Sequence, residues 1–177
     1  MFKDKVFVIT GSAQGIGKET AILATEKGAK VIINSRTEEK VAHTVEEIQT
    51  LGGDAFGLAG DVSDYEFCKR LNEFALEKFG KIDYLINNAA ISTKGTLRDS
   101  TPEALENAFR VNLFTSLYAS KAMMDEIIKQ KGGILFISSL ASVIGLPSYL
   151  SYSTTKRAMV TVAECLKNEL LDDDVFV

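Results

Sequence analysis

Cysteine, histidine and proline are scarce in this sequence of 177 residues, and each shortage excludes a class of protein. The two cysteines, Cys68 and Cys165, lie far apart and match neither a disulfide framework nor the spacing of metal ligands. The single histidine argues against a His-rich zinc site. Two prolines and 13 glycines leave little room for a disordered linker, so we expect one folded globular unit.

An excess of positive charge and a long hydrophobic run are also missing. The 20 basic and 24 acidic side chains give a formal net charge of −4, which favours neither nucleic acid nor an anionic membrane as a partner. No apolar run approaches the ~20 residues of a membrane span, and the first residues lack the apolar core and cleavage site of a signal peptide. We therefore expect a soluble cytoplasmic protein whose length suits a single domain, 1–177.

Short apolar runs alternate along the chain with segments of helical period. The predicted strands are 6–10, 30–34, 54–59, 83–86 and 133–138, with 174–177 as the opening of a sixth. The predicted helices are 15–27, 38–51, a helix from a Ser63 and Glu66 capping box to Gly80, a long helix from Thr101 to 131, and 150–171. This alternation predicts an α/β fold with a parallel sheet covered by helices on both faces.

Glycine-rich or polar segments follow each of the first five predicted strands. They are 11–17, Ser35 with Arg36, Gly60 with Asp61 and Val62, 87–90, and Ser138 with Ser139. Because parallel sheets bind ligands outside the carboxyl ends of their strands, we expect a binding site at this edge. In the first segment, Gly11, Gly15 and Gly17 permit positive φ angles and close backbone approach to a pyrophosphate. The alternative is a tight turn that only packs a helix onto the sheet.

Several of these segments together resemble one family. The sequence Thr10-Gly11-x-x-x-Gly15-Ile16-Gly17, then Asn87-Asn88-Ala89, Ser139 and Tyr152-x-x-x-Lys156, is similar to the short-chain dehydrogenase/reductase family over the whole chain. The glycine spacing resembles the compact members, such as 3-oxoacyl-(acyl carrier protein) reductase-like and sugar- or steroid-dehydrogenase-like proteins, and disfavours an epimerase or dehydratase. The resemblance implies a Rossmann-type doubly wound sheet and an NAD(P)-dependent oxidoreductase acting on a ketone or secondary alcohol.

The resemblance also implies a catalytic set of Asn112, Ser139, Tyr152 and Lys156. Tyr152 and Lys156 are four residues apart and share one face of a predicted helix. A phenol has a pKa near ~10 in water, and a neighbouring ammonium favours the phenolate. In the family, the matching serine binds the substrate carbonyl, the tyrosine exchanges the proton, the lysine binds the nicotinamide ribose, and the asparagine joins the proton relay. The alternatives are a solvated helix face or a non-catalytic dinucleotide sensor on the same fold.

The resemblance assigns the remaining strand-end residues to the cofactor. They are Gly11, Ser12, Gln14, Gly15, Ile16 and Gly17 in the turn, Ser35 and Arg36, Asp61 and Val62, and Asn88, Ala89 and Ala90, together with Tyr152 and Lys156. Asp61 matches the residue that binds the adenine amino group, although an ordinary Asp turn would look the same. Ala90 replaces the usual glycine, and its methyl is tolerable unless the turn needs a positive φ.

The end of the second strand decides the preferred cofactor. Members that use NAD carry an acidic residue where this chain has Ser35, and the next residue, Arg36, suits a 2′-phosphate. We therefore predict NADP(H), with NAD(H) as the other candidate. Family members that use NADP often carry a second basic residue where this chain has Gln14. A solvated surface charge is the alternative explanation of Arg36.

The resemblance further implies partners and missing parts. Family members continue past the strand near Val175 with a Pro-Gly loop, a substrate-covering helical segment and a last strand, so we expect a C-terminally truncated chain. We expect a small carbonyl or alcohol substrate near Leu140, Ala141, Leu146 and Tyr149. Apolar residues on several sides of the two longest helices predict a homo-oligomer, a dimer or homotetramer. They are Leu105, Phe109, Leu113 and Leu117 on the first helix and Met159, Val162, Ala163 and Leu166 on the second.

Overall fold

The computed structural model describes residues 2–177, and within them five strands form one parallel sheet. The strands are β1 (Val6–Ile9), β2 (Lys30–Ser35), β3 (Asp54–Ala59), β4 (Tyr84–Asn87) and β5 (Gly133–Phe136). Their order across the sheet is β3-β2-β1-β4-β5, and all four pairings are parallel. The order reverses direction at β1, which is the switch point where doubly wound sheets bind ligands. The predicted Rossmann-type fold is therefore confirmed.

The helices connect successive strands and cover both faces of the sheet. They are α1 (Gly15–Glu26), α2 (Glu38–Thr50), α3 (Tyr65–Phe79), α4 (Pro102–Phe109), α5 (Thr115–Lys129) and α6 (Leu150–Glu169). A π-helical turn, Arg110–Phe114, joins α4 to α5, and short 3₁₀ turns lie at Leu140–Ser142 and Leu171–Asp173. None of the helices in residues 2–177 is both long enough and apolar enough to cross a membrane.

Neighbouring residues of a strand belong to two different hydrophobic clusters, as expected for a sheet buried on both faces. In β1, Val8 packs in the cluster that includes α3 and α5, whereas Ile9 packs in the cluster that includes α1 and α2. The largest fully buried side chains include Ile9, Ile32, Ile33, Ile48, Leu71, Leu85, Met123, Ile127 and Ile134. This double burial explains why β1 is a continuous apolar run in the sequence.

Several local predictions differ from the structure. The predicted helix from Thr101 to 131 is interrupted by the π-helical turn. The predicted capping box is wrong, because Asp61 Oδ1 accepts the Ser63 amide at 2.8 Å, and Asp64 caps α3 instead by accepting the Glu66 amide at 3.0 Å. The fifth strand ends two residues early, at Phe136. The predicted sixth strand amounts to a single parallel bridge between Gly133 and Phe176.

A buried carboxylate fixes the opposite, amino-terminal edge of the sheet. The Asp83 side chain is fully buried and accepts hydrogen bonds from Lys5 Nζ and, at 2.9 Å, from the Val6 amide. Lys5 contacts Oδ1, whereas Lys81 Nζ lies 2.9 Å from Oδ2, the oxygen that also accepts the Val6 amide. Burial alone would raise the pKa of Asp83, but these hydrogen bonds and charges outweigh it and hold the pKa below its usual value. The carboxylate therefore joins β1 to β4 in its ionised form.

Candidate active site

A cleft of about 360 Å³ opens at the carboxyl ends of β1 to β4. Its volume falls in the ~300–1,000 Å³ range of small-molecule sites. The residues that line it come from five separate segments of the chain: Gly11, Ala13, Gln14, Gly15 and Ile16; Asn34, Ser35, Arg36, Thr37 and Lys40; Gly60, Asp61 and Val62; Asn88, Ala89, Ala90 and Ile91; and Val111 and Thr115. The structure thus brings most of the predicted cofactor residues to one place.

The glycine-rich turn has the backbone conformation and the open space that a bound phosphate needs. Gly11 and Gly15 have φ angles of +63° and +56°, which side chains of L residues rarely adopt. A Cβ atom added at Gly15 would meet no heavy atom within 4 Å, so this face of the turn is open to the cleft. Gln14 precedes α1 and makes no side-chain cap within the described residues. The Gln14 side chain therefore leaves the first-turn amides of α1 uncapped. These amides lie at the cleft, where they fit a pyrophosphate.

Two predicted residues of this turn face the protein interior instead of the cleft. The Ser12 hydroxyl donates to the Ile9 carbonyl at 2.6 Å and accepts the Asn34 amide at 3.0 Å, so it joins β1 to β2. A Cβ atom at Gly17 would lie 2.5 Å from Asn88 Nδ2 and 2.9 Å from the Gly11 carbonyl oxygen. Both residues therefore support the shape of the turn, and neither lines the cleft.

The segment after β4 is hydrogen-bonded to the end of β1. Asn88 Nδ2 donates to the carbonyl oxygens of Thr10 and Gly11, both at 3.0 Å. The Thr10 hydroxyl accepts the amides of Asn88 and Ala89, both at 3.1 Å. Ala90 is exposed and its φ is not positive, so its methyl group fits where the family has glycine. These contacts fix the part of the cleft wall that lies directly beside the glycine-rich turn.

Asp61 and Val62 form the end of the cleft at β3. Asp61 Oδ1 accepts the Ser63 amide in the turn before α3, and Oδ2 lies 3.8 Å from Arg110 Nη1. The Asp61 side chain nevertheless stays 38% exposed, so the turn and a ligand contact are compatible. Val62 is almost fully buried and belongs to the core while it lines the cleft.

Two basic side chains, Arg36 after β2 and Lys40 on α2, lie at the same end of the cleft. Ser35 accepts the Thr37 amide through its hydroxyl at 3.3 Å, and Arg36 is exposed beside it. Lys40, on the first turn of α2, lines the same cleft and donates from Nζ to Gln14 Oε1 at 3.1 Å. No sequence pattern indicates Lys40 as the second basic residue, because the family's second basic residue falls at position 14, which holds a glutamine. The lysine lies 26 residues away in the sequence but directly beside that position in space.

Tyr152 and Lys156 lie on α6, on the β5 side of the same edge. Lys156 is buried, and its Nζ donates to the Ile137 carbonyl oxygen, just after β5, at 2.7 Å. The ammonium lies 5.9 Å from the centre of the Tyr152 ring. Burial lowers the pKa of Lys156 from its usual value. The helical spacing predicted from the sequence therefore places a cation against the face of the phenol ring.

Ser139 and Asn112 lie on elements that contact α6. Ser139 begins the 3₁₀ turn after β5, where its hydroxyl accepts the Ala141 amide at 3.2 Å. Asn112 lies in the π-helical turn and is fully buried. Its side chain accepts the Ile91 amide at 2.7 Å and donates to the Ile91 carbonyl at 3.0 Å. The Asn112 amide therefore holds the loop after β4 and does not face solvent.

Comparison with known proteins agrees with this geometry. The family model for short chain dehydrogenases matches residues 5–177. An uncharacterized oxidoreductase of Thermotoga maritima is 36% identical over 172 residues, which cover 97% of this chain and 68% of that protein. A short chain dehydrogenase/reductase of Burkholderia phymatum, solved in complex with NAD, is 29% identical with a TM-score of 0.95. The matched region covers 99% of this chain and 64% of the Burkholderia phymatum chain. A 7α-hydroxysteroid dehydrogenase, solved with NADH and 7-oxo glycochenodeoxycholic acid, is 31% identical with a TM-score of 0.94. The matched region covers 98% of this chain and 68% of the dehydrogenase chain.

The parallel sheet, its switch point and the glycine-rich turn after β1 define a Rossmann-type α/β protein. Within that class, the chain belongs to the short chain dehydrogenase family, because the family model covers nearly all of it. The chain spans between 48% and 68% of the length of the curated relatives that it matches.

Proposed function

We propose that the protein is an oxidoreductase that interconverts a ketone and a secondary alcohol, with NADP(H) as the preferred cofactor. The observation that carries this proposal is the placement of Tyr152 and the buried Lys156 at the same sheet edge as the open glycine-rich turn. When bound, the nicotinamide supplies or accepts the hydride. Membership of the dehydrogenase family supports the reaction class.

The protein's own residues would bind the substrate and move the proton. Tyr152 donates its phenolic proton to the carbonyl oxygen during reduction and recovers it during oxidation. The Lys156 ammonium, held by the Ile137 carbonyl, stabilises the phenolate that forms. Ser139 can turn its hydroxyl to the substrate oxygen, since its contact in the structure is to one backbone amide. Asn112 keeps the wall between this set and the cofactor cleft in place.

The preference for NADP(H) rests on charge at the end of β2. Arg36 and Lys40 both line the cleft, and no acidic side chain takes the place of Ser35. A guanidinium and an ammonium together favour a 2′-phosphate, and Lys40 supplies the second charge that Gln14 lacks. The two solved relatives were crystallised with NAD and NADH, so this preference would distinguish the chain from them.

The proposed substrate is a ketone with apolar surroundings. Beside Ser139, the segment between β5 and α6 exposes several large apolar side chains: Leu140, Val143, Ile144 and Leu146. Tyr149 continues this surface, with its ring centre 6.3 Å from that of Tyr152. The 7-oxo steroid bound by one solved relative is a ketone of this kind.

The test uses the complete protein, a panel of ketones and the fall in NADPH absorbance. We expect turnover with at least one apolar ketone, and we expect Tyr152→Phe to remove nearly all of it while NADPH affinity stays almost unchanged. Tyr84→Phe is the matched control, because Tyr84 stacks on Phe7 outside the site. A Tyr152→Phe variant that keeps most of the activity would contradict the assignment. NADPH binding without turnover on any substrate would favour the sensor function.

We also propose that the protein associates with a second copy of itself. On α4 and α5, an apolar groove is lined by Leu105, Phe109, Phe114 and Tyr118, with Ser63, Glu106 and Arg110 at its rim. Phe114 is 41% exposed and lines this groove together with three other large apolar side chains, so the exposed apolar surface is contiguous. On α6, Met159 is buried on the side that covers the sheet, so only the other apolar residues of that helix are candidates for an interface.

The proposed compartment is the reducing cytoplasm, because both cysteines are free. Burial raises the pKa of the Cys68 thiol to about 12, so Cys68 is a packing residue and not a nucleophile. Cys165 is free and exposed.

A further inference from the structure

Thr155 is a fully buried residue of α6 that none of the functions above uses. Its hydroxyl donates to the Tyr152 carbonyl oxygen at 2.9 Å and accepts a hydrogen bond from Asn112 Nδ2 at 3.2 Å. A threonine that bonds to the carbonyl three residues earlier is common in helices. The second contact is particular to this site, because it links α6 to the π-helical turn.

The Asn112 side chain extends this link to the cofactor cleft. Asn112 holds both the amide and the carbonyl of Ile91, and Ile91 lines the cleft directly after Ala90. A continuous path of hydrogen bonds therefore runs from the cleft wall, through Asn112 and Thr155, to the backbone of Tyr152. Each step of the path lies between 2.7 and 3.2 Å.

The same loop contacts the first turn of α6 at a second place. The hydroxyl oxygens of Thr93 and Ser151 lie 2.9 Å apart, and the Gly95 amide donates to the Ser148 carbonyl at 2.7 Å. Ser148 has a φ of +62°, a strained value for a residue other than glycine. The surrounding contacts thus hold the start of α6 in a conformation that the chain alone would not favour.

We propose that Thr155 is a positioning residue that sets the place of the Tyr152 phenol relative to the cofactor cleft, an inference that rests on the proposed function. Replacing the hydroxyl with a methyl group removes the donor to the Tyr152 carbonyl. It also leaves the buried Asn112 Nδ2 with one acceptor fewer, so the loop and the helix lose their shared contact. Because catalysis requires reacting atoms in near-attack geometry, a small displacement of Tyr152 lowers the rate of the chemical step more than it lowers cofactor affinity.

The experiment compares Thr155→Val with Thr155→Ser in the complete protein. We expect Thr155→Val to lower kcat by about tenfold to a hundredfold, because proton transfer depends on the placement of the phenol. The serine variant keeps the hydroxyl and should stay within about threefold of wild type. The matched control is Thr154→Val, since Thr154 is the exposed neighbour on the same helix. The Kd of NADPH, followed by its fluorescence, should change by less than about threefold in all three variants.

A double substitution separates positioning from simple loss of structure. If Thr155 acts through Asn112, Thr155→Val should have little further effect on kcat in an Asn112→Ala background. If Thr155→Val does not fold, Thr155→Ala is measured in its place. If neither variant folds, the Thr155 hydroxyl serves stability and the proposal is overturned. Equal kcat values for Thr155→Val and wild type, or an equal loss in Thr155→Ser, would also overturn it. Absence of turnover in the wild-type protein would instead refute the proposed function.

Discussion

Substituting Gly15 with alanine should separate cofactor binding from folding. The φ of +56° imposes a penalty of roughly 1–2 kcal/mol on alanine. The stiffer unfolded chain offsets about 0.4–1 kcal/mol of this penalty, so we expect the unfolding free energy to fall by about 1 kcal/mol. The new methyl group would meet no protein atom within 4 Å and would instead occupy the cleft in front of the α1 amides. Displacing one charge-assisted phosphate contact should weaken NADPH binding by about tenfold to a hundredfold.

The matched control for this prediction is Gly80→Ala. Gly80 has a φ of +75°, also has no heavy atom within 4 Å of the added Cβ, and ends α3 outside the cleft. Urea unfolding should give similar stability losses for the two variants, and titration calorimetry with NADPH should show weakened binding only for Gly15→Ala. If both variants bound NADPH equally well, the glycine-rich turn would not hold the pyrophosphate.

Three further predictions concern other parts of the molecule. Arg36→Ala should lower the ratio of kcat/KM for NADPH over NADH by about tenfold to a hundredfold, and Lys40→Ala should lower it less, since Lys40 is shared with Gln14; a wild-type preference for NADH would contradict this. Asp83→Asn should reduce the unfolding free energy at neutral pH by about 2–3 kcal/mol, because two lysine partners lose their buried counterion while keeping access to water. The lowered pKa of Asp83 means that its contribution is present above 3.8 and is lost as the pH falls through the lower folded value, so urea unfolding at about pH 3 should show a smaller difference between the two proteins; an unchanged difference would refute the ionised bridge. Light scattering of the complete protein should give the mass of a dimer or tetramer, and Phe114→Glu should shift it toward the monomer; a monomeric wild type would count against the proposed interface.

The parts of the fold that the sequence predicts are those with a strong local signal. β1 is buried along its whole length and β2 over its four central residues, so both appear as short apolar runs, and the predicted bounds of β3 also agree with the structure. The cap at Thr101 is confirmed, since its hydroxyl accepts the Ala104 amide at 3.2 Å. The cap at Ser63 is not, because the choice between Ser63 and Asp64 depends on a turn that Asp61 makes. The π-helical turn at Asn112 likewise depends on a distant partner, Ile91.

The candidate site shows the same division between local and spatial information. Gly15 and Arg36 follow strand ends, and this rule alone locates them in the cleft. Ser12 follows a strand end as well, but its hydroxyl is used by β1 and β2, which no local pattern reveals. Lys40 belongs to an ordinary amphipathic helix, and its place beside Gln14 follows only from the packing of α1 and α2. Residues that act across elements therefore require the three-dimensional structure.

Transfer of a labelled hydride tests the central claim most directly. The complete protein would reduce an apolar ketone with NADPH that carries deuterium at the transferable position of the nicotinamide, and mass spectrometry would locate the label in the alcohol. The account predicts deuterium on the carbinol carbon and almost no labelled product from Tyr152→Phe. An alcohol without deuterium on that carbon, or labelled product formed equally well by Tyr152→Phe, would contradict it.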